Sequence, residues 1–143
     1  MEPLLTVKNL TVRLKKKETS LVNNVSFQVQ TGQILGIIGE SGSGKSMTCR
    51  ALTRLLDSER FLVEGKVCFQ GCELLRLSQK EMQRLRGEHI AMIMQNPMTA
   101  FDPVTRIGNQ MIETLRTHQA VSKAQAADAI GQELTKLNLG DIP

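Results

Sequence analysis

An α/β fold is predicted from three features of this 143-residue sequence. Near the N-terminus two stretches alternate apolar and polar residues, as strands with one covered face do. Two later stretches, "QILGIIGE" and "HIAMIMQ", are almost continuously apolar, the pattern of strands covered on both faces. Between and after them, apolar residues recur at helical spacing. With 41% hydrophobic and 22% charged residues, the composition is that of a globular chain and excludes a disordered or fibrous one.

The elements follow in order. "LLTVKNLTVRL" and "NNVSFQVQTG" are predicted to pair as a hairpin, Val25, Phe27 and Val29 lying on one face and the basic run from Arg13 to Glu18 forming the tip. "QILGIIGE" is then a buried strand from Ile34 to Ile38 that points into a glycine-rich loop. From Ser46 to Leu56 the spacing of Met47, Ala51, Leu52 and Leu55 predicts a helix. Gly65 and Gly71 bracket a short strand with Val67 and Phe69, predicted to sit in a hairpin. Ser78 and Glu81 have the spacing of a capping box, opening a short helix that Gly87 ends. "HIAMIMQ" is a second apolar strand finishing at Gln95, and the two prolines of "NPMTAFDP" stop regular structure after it. Ile107 to Leu115 and Ser122 to Leu137 read as helices. The second has a capping box of Ser122 and Gln125 and a stripe of Ala127, Ile130, Leu134 and Leu137, with a helix stop in "LNLGDIP".

The loop carries the chemistry. Gly39, Glu40, Ser41, Gly42, Ser43, Gly44, Lys45 and Ser46 fit G-x-x-x-x-G-K-[ST] at every fixed position. Glycines let the backbone curl so that successive N–H groups face one centre, and the helix that follows offers unpaired amides and its dipole to an anion. Lys45 adds a full positive charge for terminal phosphates, and Ser46 a hydroxyl for Mg²⁺. The competing reading is a flexible Gly/Ser turn with an accidental lysine. A chance match in a chain of this length is expected in under about one case in a hundred, and the predicted strand before and helix after the loop favour a nucleotide site. Fifty residues beyond Lys45, Gln95 ends an apolar strand on the side where open α/β sheets bind ligands. Its amide could serve a metal, a water or a phosphate, though taken alone a turn glutamine is the plainer reading.

Other features exclude more than they assert. No apolar run approaches the roughly 20 residues that cross a bilayer. "MEPLLTVKNL" lacks a basic segment leading into an apolar one, so a secretory signal is not expected and the cytoplasm is the default. Cys49, Cys68 and Cys72 make no metal pattern and are expected as reduced, structural thiols. The net charge of +4 leaves a nucleic-acid patch open. With no Trp or Tyr and four Phe to stack bases, a solvated hairpin tip is favoured and no nucleic-acid partner is expected.

Taken together, "GESGSGKS" resembles the Walker A loop, and "MIMQNP" the Q-loop, of the ATP-binding subunits of ABC transporters. "ILGIIGESGSGKS" with "QNPMTAFDP" is similar to the peptide and nickel importer branch, and "IMQNP…AFDP" leans to its nickel member. The likeness runs from about Leu4 to Leu139. It implies a phosphate-loop ATPase core with an N-terminal antiparallel β subdomain over about residues 4–95. The Q-loop and the start of a helical subdomain would follow over about 96–143. Lys45 and the amides of Gly42, Gly44 and Ser46 would hold the phosphates of ATP, while Ser46 and Gln95 would face Mg²⁺. Asn96 to Pro103 would be a hinge, and the helices beyond it would reach the membrane partner.

The same resemblance implies the function: coupling ATP binding and hydrolysis to solute uptake. The partners would be transmembrane permease subunits and a second ATP-binding subunit, at the inner face of the cell membrane. Many relatives stack an aromatic ring on adenine from the first hairpin, where this sequence has Leu14 or Val12. Relatives also continue into a signature sequence, an acidic Walker B strand end and a switch histidine. Neither His89 nor His118 matches that histidine, and both are expected at the surface or in packing. The chain is therefore expected to be incomplete, with no catalytic residue of its own and no competence for hydrolysis alone. Ile34 to Ile38 and Ile90 to Met94 would then keep unpaired edges and exposed apolar faces. The alternative is a non-catalytic nucleotide-binding or interaction module.

Overall fold

The computed structural model describes residues 2–17 and 19–139. The chain divides into two compact units, Met1–Arg86 and Gly87–Pro143.

The first unit is built on a four-stranded antiparallel sheet of β1 (Leu5–Leu14), β2 (Ser20–Val29), β3 (Phe61–Phe69) and β4 (Cys72–Glu73), in the order β2-β1-β3-β4. β1 and β2 form the predicted hairpin, Leu5 facing Val29 and Arg13 facing Ser20. Simple alternation fails inside it, for a local reason. Asn9 and Asn24 both have φ of 51°, and Gly65 opposite has φ of 109°. Asparagine tolerates the left-handed region better than most residues, and each such position inserts a bulge that moves later side chains to the other face. Val7 before the bulge and Leu10 and Val12 after it thereby all reach the core, each fully buried. The amides turned out of the ladder are satisfied: Asn9 N donates to Ser26 Oγ at 2.8 Å and Asn24 N to Thr11 Oγ1 at 3.1 Å. Gly65 is required here, because a Cβ would stand 2.7 Å from the carbonyl oxygens of both Lys8 and Asn9. Gln70 and Gly71, with φ of 48° and 79°, form the primed two-residue turn between β3 and β4 that matches strand twist.

Helix α1 (Lys45–Leu52) lies against β1 and β2 with Thr48 and Ala51 buried. It stops four residues before the predicted Leu56. Thr53 turns its hydroxyl back to Cys49 O at 3.1 Å, and Arg54 takes φ of 51°. Leu74, in the 3₁₀ turn Leu74–Arg76, and Met82, in helix α2 (Gln79–Glu88), complete the core with Val22 and Val67. Each such large apolar side chain contributes on the order of 1.5–3 kcal/mol.

The Ser78 box is present at the start of α2. Ser78 N and Oγ donate to Glu81 Oε2 at 2.7 and 2.6 Å, and Glu81 N donates to Ser78 Oγ at 3.3 Å. The Ser78 hydroxyl first, its amide second and the Arg84 charge last pull the Glu81 carboxyl below its ordinary value of 4.5, against a smaller desolvation effect. With the folded value below the unfolded one, this contribution to stability is full above pH 4.5 and is lost as pH falls through the folded value. Ser78→Ala is expected to bring the titration of Glu81, followed by its side-chain carboxyl NMR shift, back up toward 4.5. An unchanged midpoint would refute the box as its cause.

Two predicted strands are corrected. Residues 33–40 run without any ladder; Ile34 is 96% and Ile38 97% exposed. Residues 89–95 form no strand beyond a single bridge at Ile90, and Ile93 is 93% exposed. A run of apolar side chains favours burial on both faces, but neighbouring strands must supply it. Among the described residues the sheet partners are all antiparallel neighbours of β1 and β3. The exposed apolar faces expected for both segments are therefore present.

In the second unit, α3 (Ile107–His118) and α4 (Lys123–Lys136) pack on each other across a short link. The α4 capping box forms as predicted: Ser122 N donates to Gln125 Oε1 at 2.9 Å and Gln125 N to Ser122 Oγ at 3.2 Å. Its apolar stripe is shifted by one residue at the start. Ala126 is fully buried whereas Ala127 is exposed, and Leu137 is 67% exposed. A cap at Ser122 places Ala126, Ile130 and Leu134 four apart on one face. The predicted helix stop from residue 140 onward lies outside the described residues.

Candidate functional site

The loop from Gly39 to Ser46 forms a closed cup. Ser43 N donates to Glu40 O at 3.2 Å, and Gly42 and Gly44 turn the chain with φ of 82° and 92°. Lys45 reaches back across it, its Nζ donating to Gly39 O at 2.6 Å, Glu40 O at 2.7 Å and Ser43 Oγ at 3.3 Å. The ammonium group is thus fixed over the loop by backbone carbonyls, and among the described residues no carboxylate pairs with it. A Cβ on Gly39 would meet Ser43 Oγ at 2.7 Å. A Cβ on Gly44 would meet Leu21 O at 2.6 Å and Val22 Cγ2 at 3.2 Å, so Gly44 seats the loop directly on β2.

Gly44 is also the N-cap of α1, and it brings no side chain to the helix end; the first turn holds no acidic residue. Among the described residues, the amides of Gly42, Gly44, Lys45 and Ser46 meet no protein acceptor. Four free donors, a helix N-terminus and a fixed cation thus belong to one short loop, a donor set suited to an anion. The side chains of Glu40, Ser41 and Ser46 are exposed. The Ser46 hydroxyl has no protein partner among the described residues, and no group of three or more His, Cys, Asp or Glu side chains there makes a metal cage. The Ser46 hydroxyl is chemically an oxygen donor of the kind Mg²⁺ accepts, since that ion takes one or two protein oxygens and keeps waters.

Gln95 belongs to the second unit and is exposed, its amide making no protein hydrogen bond among the described residues. The expected hinge after it is partly stiffened. Gln110 of α3 accepts from Asp102 N at 3.0 Å and donates to Asp102 O at 3.0 Å and Thr105 O at 2.8 Å. Asp102 in turn accepts from Val104 N and Thr105 Oγ1, each at 3.0 Å. Residues 102–105 are thereby braced to α3.

Of the two residues weighed for contact with a base, Val12 is fully buried and is removed from consideration. Leu14 lines a cavity of about 440 Å³ with Arg13, Lys15 and Leu62, and none of these is aromatic. Cys49, Cys68 and Cys72 are free and half-buried. His89 is exposed, whereas His118 packs its ring on Gly87, where a Cβ would meet Nε2 at 2.6 Å.

Arg54 and Arg86 went unnoticed in the sequence. Arg86 donates from Nε to Thr53 O at 2.9 Å and from Nη2 to Arg54 O at 2.7 Å, while Arg54 Nη1 reaches the carbonyls of Leu74 and Leu77. Burial first, and the Arg54 charge second, lower the Arg86 guanidinium below its usual value. Nothing in the spacing signals this pair.

The family model described as ABC transporter matches residues 22–142. The ATP-binding protein CntD of a metal-staphylopine import system, from Staphylococcus aureus (strain NCTC 8325 / PS 47), is 41% identical over 138 residues, 96% of this chain and 51% of that protein. The oligopeptide transport ATP-binding protein OppD of Haemophilus influenzae is 41% identical over 152 residues, 100% of this chain and 47% of its own. The dipeptide transport ATP-binding protein DppD of Lactococcus lactis subsp. cremoris is 44% identical over 128 residues, 87% of this chain and 37% of its own. The chain spans about half the length of the first two.

Proposed function

The chain belongs to the ABC transporter family, and on that footing we propose that it grips the phosphates of ATP in the nucleotide-binding domain of an importer's ATPase subunit. Residues of about 4–95 supply the β subdomain and phosphate-loop core, and about 96–143 the Q-loop and the start of a helical subdomain. One observation carries the reading. Lys45 spans the loop by bonds of 2.6 and 2.7 Å to Gly39 O and Glu40 O, while the amides of Gly42, Gly44, Lys45 and Ser46 meet no acceptor among the described residues and suit an outside one. Phosphate oxygens match that donor set in charge and number.

Lys45 and those amides hold the β- and γ-phosphates, and Gly39, Glu40, Ser41 and Ser43 complete the cup. Mg²⁺, when bound, withdraws charge from the phosphate oxygens. Ser46 Oγ and the Gln95 amide oxygen are the donors this chain offers it. The partners are transmembrane permease subunits and a second ATP-binding subunit, on the cytoplasmic face of the membrane. Among the described residues no helix is long and apolar enough to cross that membrane. Relatives named for metal-staphylopine, oligopeptide and dipeptide transport support an importer of the branch that takes up peptides or a chelated metal.

Gln95 separates binding from coupling. Gln95→Ala in the full-length protein, assembled with its membrane subunits in vesicles, is expected to keep ATP affinity within about twofold while uptake per ATP falls about tenfold. Loss of ATP binding as complete as for a Lys45 variant, or unaltered uptake, would remove Gln95 from the coupling role.

A further inference from the structure

Helix α1 carries the phosphate-facing amides, yet little of it is anchored by packing. It is eight residues long, about 12 Å, and its only fully buried side chains are the small Thr48 and Ala51. Its larger apolar side chains, Met47 and Leu52, are only half-buried. Its two ends are held by other means. At the N-terminal end Gly44 sits on the β2 backbone at Leu21. At the other end Arg86 of α2 takes two carbonyls, Thr53 O at 2.9 Å and Arg54 O at 2.7 Å. These belong to the turn that closes α1, where the helix leaves acceptors unpaired and its dipole is negative. Arg54 extends the linkage to the carbonyls of Leu74 and Leu77 in and after the 3₁₀ turn.

Among the described residues no carboxylate lies within ion-pair distance of either guanidinium. Two like charges are therefore kept together, at some electrostatic cost, by hydrogen bonds to backbone alone. Arginine's planar fork suits this task, since it can address two neighbouring carbonyls at once and stays protonated.

We propose that Arg86 is a positioning residue for the nucleotide site: by clamping the C-terminal end of α1 to α2, it sets the direction in which the Gly44, Lys45 and Ser46 amides face the phosphates. The proposal rests on the nucleotide reading above. Because α1 is a short rigid rod, release of one end lets the other tilt, and amides lose alignment before they lose contact. The effect should scale with the number of phosphates in the cup.

The test compares Arg86→Gln, Arg86→Lys and the unaltered full-length protein in displacement titrations with ATP, ADP and AMP, under conditions where each is folded. Arg86→Gln is expected to weaken ATP about three- to thirtyfold, ADP less and AMP least. Arg86→Lys, with one ammonium for two carbonyls, should fall between. Arg84→Gln, on the same helix and exposed, should match the unaltered protein. Hydrogen exchange without nucleotide gives an independent readout, in which the bonded amides at the two ends of α1, Thr48 N on Gly44 O at 2.8 Å and Leu55 N on Arg50 O at 2.8 Å, exchange faster in Arg86→Gln. A variant that melts earlier but binds ATP with unaltered affinity and exchanges those amides no faster would reduce Arg86 to packing and overturn the proposal. If Arg86→Gln does not fold, Arg86→Lys decides by the same two readouts. Failure of the unaltered protein to bind ATP would instead strike the parent reading, and the exchange result would still judge the clamp.

Discussion

Lys45→Ala is expected to weaken Mg·ATP binding by about a hundredfold or more, the scale at which one member of a desolvated, hydrogen-bonded charge pair is removed. Two losses combine. The phosphates lose a cation fixed over the loop, and the loop loses the strut that ties its end to Gly39 O and Glu40 O at 2.6 and 2.7 Å. A cup stiffened before the ligand arrives needs less ordering when it binds, so removal of the strut weakens affinity beyond the loss of charge. The substitution leaves the fold nearly untouched, since among the described residues the Lys45 ammonium bonds only to the loop. Calorimetric titration should therefore show lost binding at an almost unchanged melting temperature. Affinity equal to that of the unaltered protein would discredit the assignment of Lys45.

Gly44→Ala is expected to damage both folding and binding, and Gly42→Ala gives the contrast that explains why. Both positions have positive φ, 92° and 82°, so each alanine incurs backbone strain of about 1–2 kcal/mol. At Gly42 the new Cβ would meet nothing within 4 Å. At Gly44 it would stand 2.6 Å from Leu21 O, a main-chain atom held inside β2. Either β2 or the start of α1 must move, adding about 1–3 kcal/mol of overpacking strain and pulling the helix amides out of line. In denaturant unfolding Gly44→Ala should lose clearly more stability than Gly42→Ala. Equal losses would show that the seat on β2 is not rigid.

What the sequence displayed, and what it hid, divides along the range of the interactions. Turn and cap chemistry is local, and it was legible. The Ser78 and Ser122 boxes, the Gln70–Gly71 turn region and the Gly39–Ser46 loop opening α1 all depend on residues a few positions apart. The tilt of the alternating strands was only partly legible. Asn9 and Asn24 are polar residues in polar positions of the pattern, and their left-handed φ of 51° depends on Ser26, Thr11 and Gly65 across the sheet. An isolated glycine within a strand pattern was the available signal.

Residues 33–40 show a different limit. Continuous apolar character records a preference for burial, while the partners that would satisfy it lie elsewhere in sequence. Arg86 shows a third. A long charged side chain on a short helix has the appearance of a solvated one, and only its backbone partners at Thr53 and Arg54 reveal a structural use. The Gly39–Ser46 loop was legible as a run of residues. Its geometry, with Lys45 folded back on the loop and Gly44 seated on Leu21, was not.

The claim beneath all of this is that a phosphate tail sits on the amides where the Gly39–Ser46 loop becomes α1. A titration of ¹⁵N-labelled full-length protein with Mg·ATP tests it most directly. The amide signals of Gly42, Gly44, Lys45 and Ser46 should move furthest, and tripolyphosphate without a base should move the same four. Saturation by Mg·ATP that leaves those four signals in place, with the largest shifts elsewhere, would contradict it.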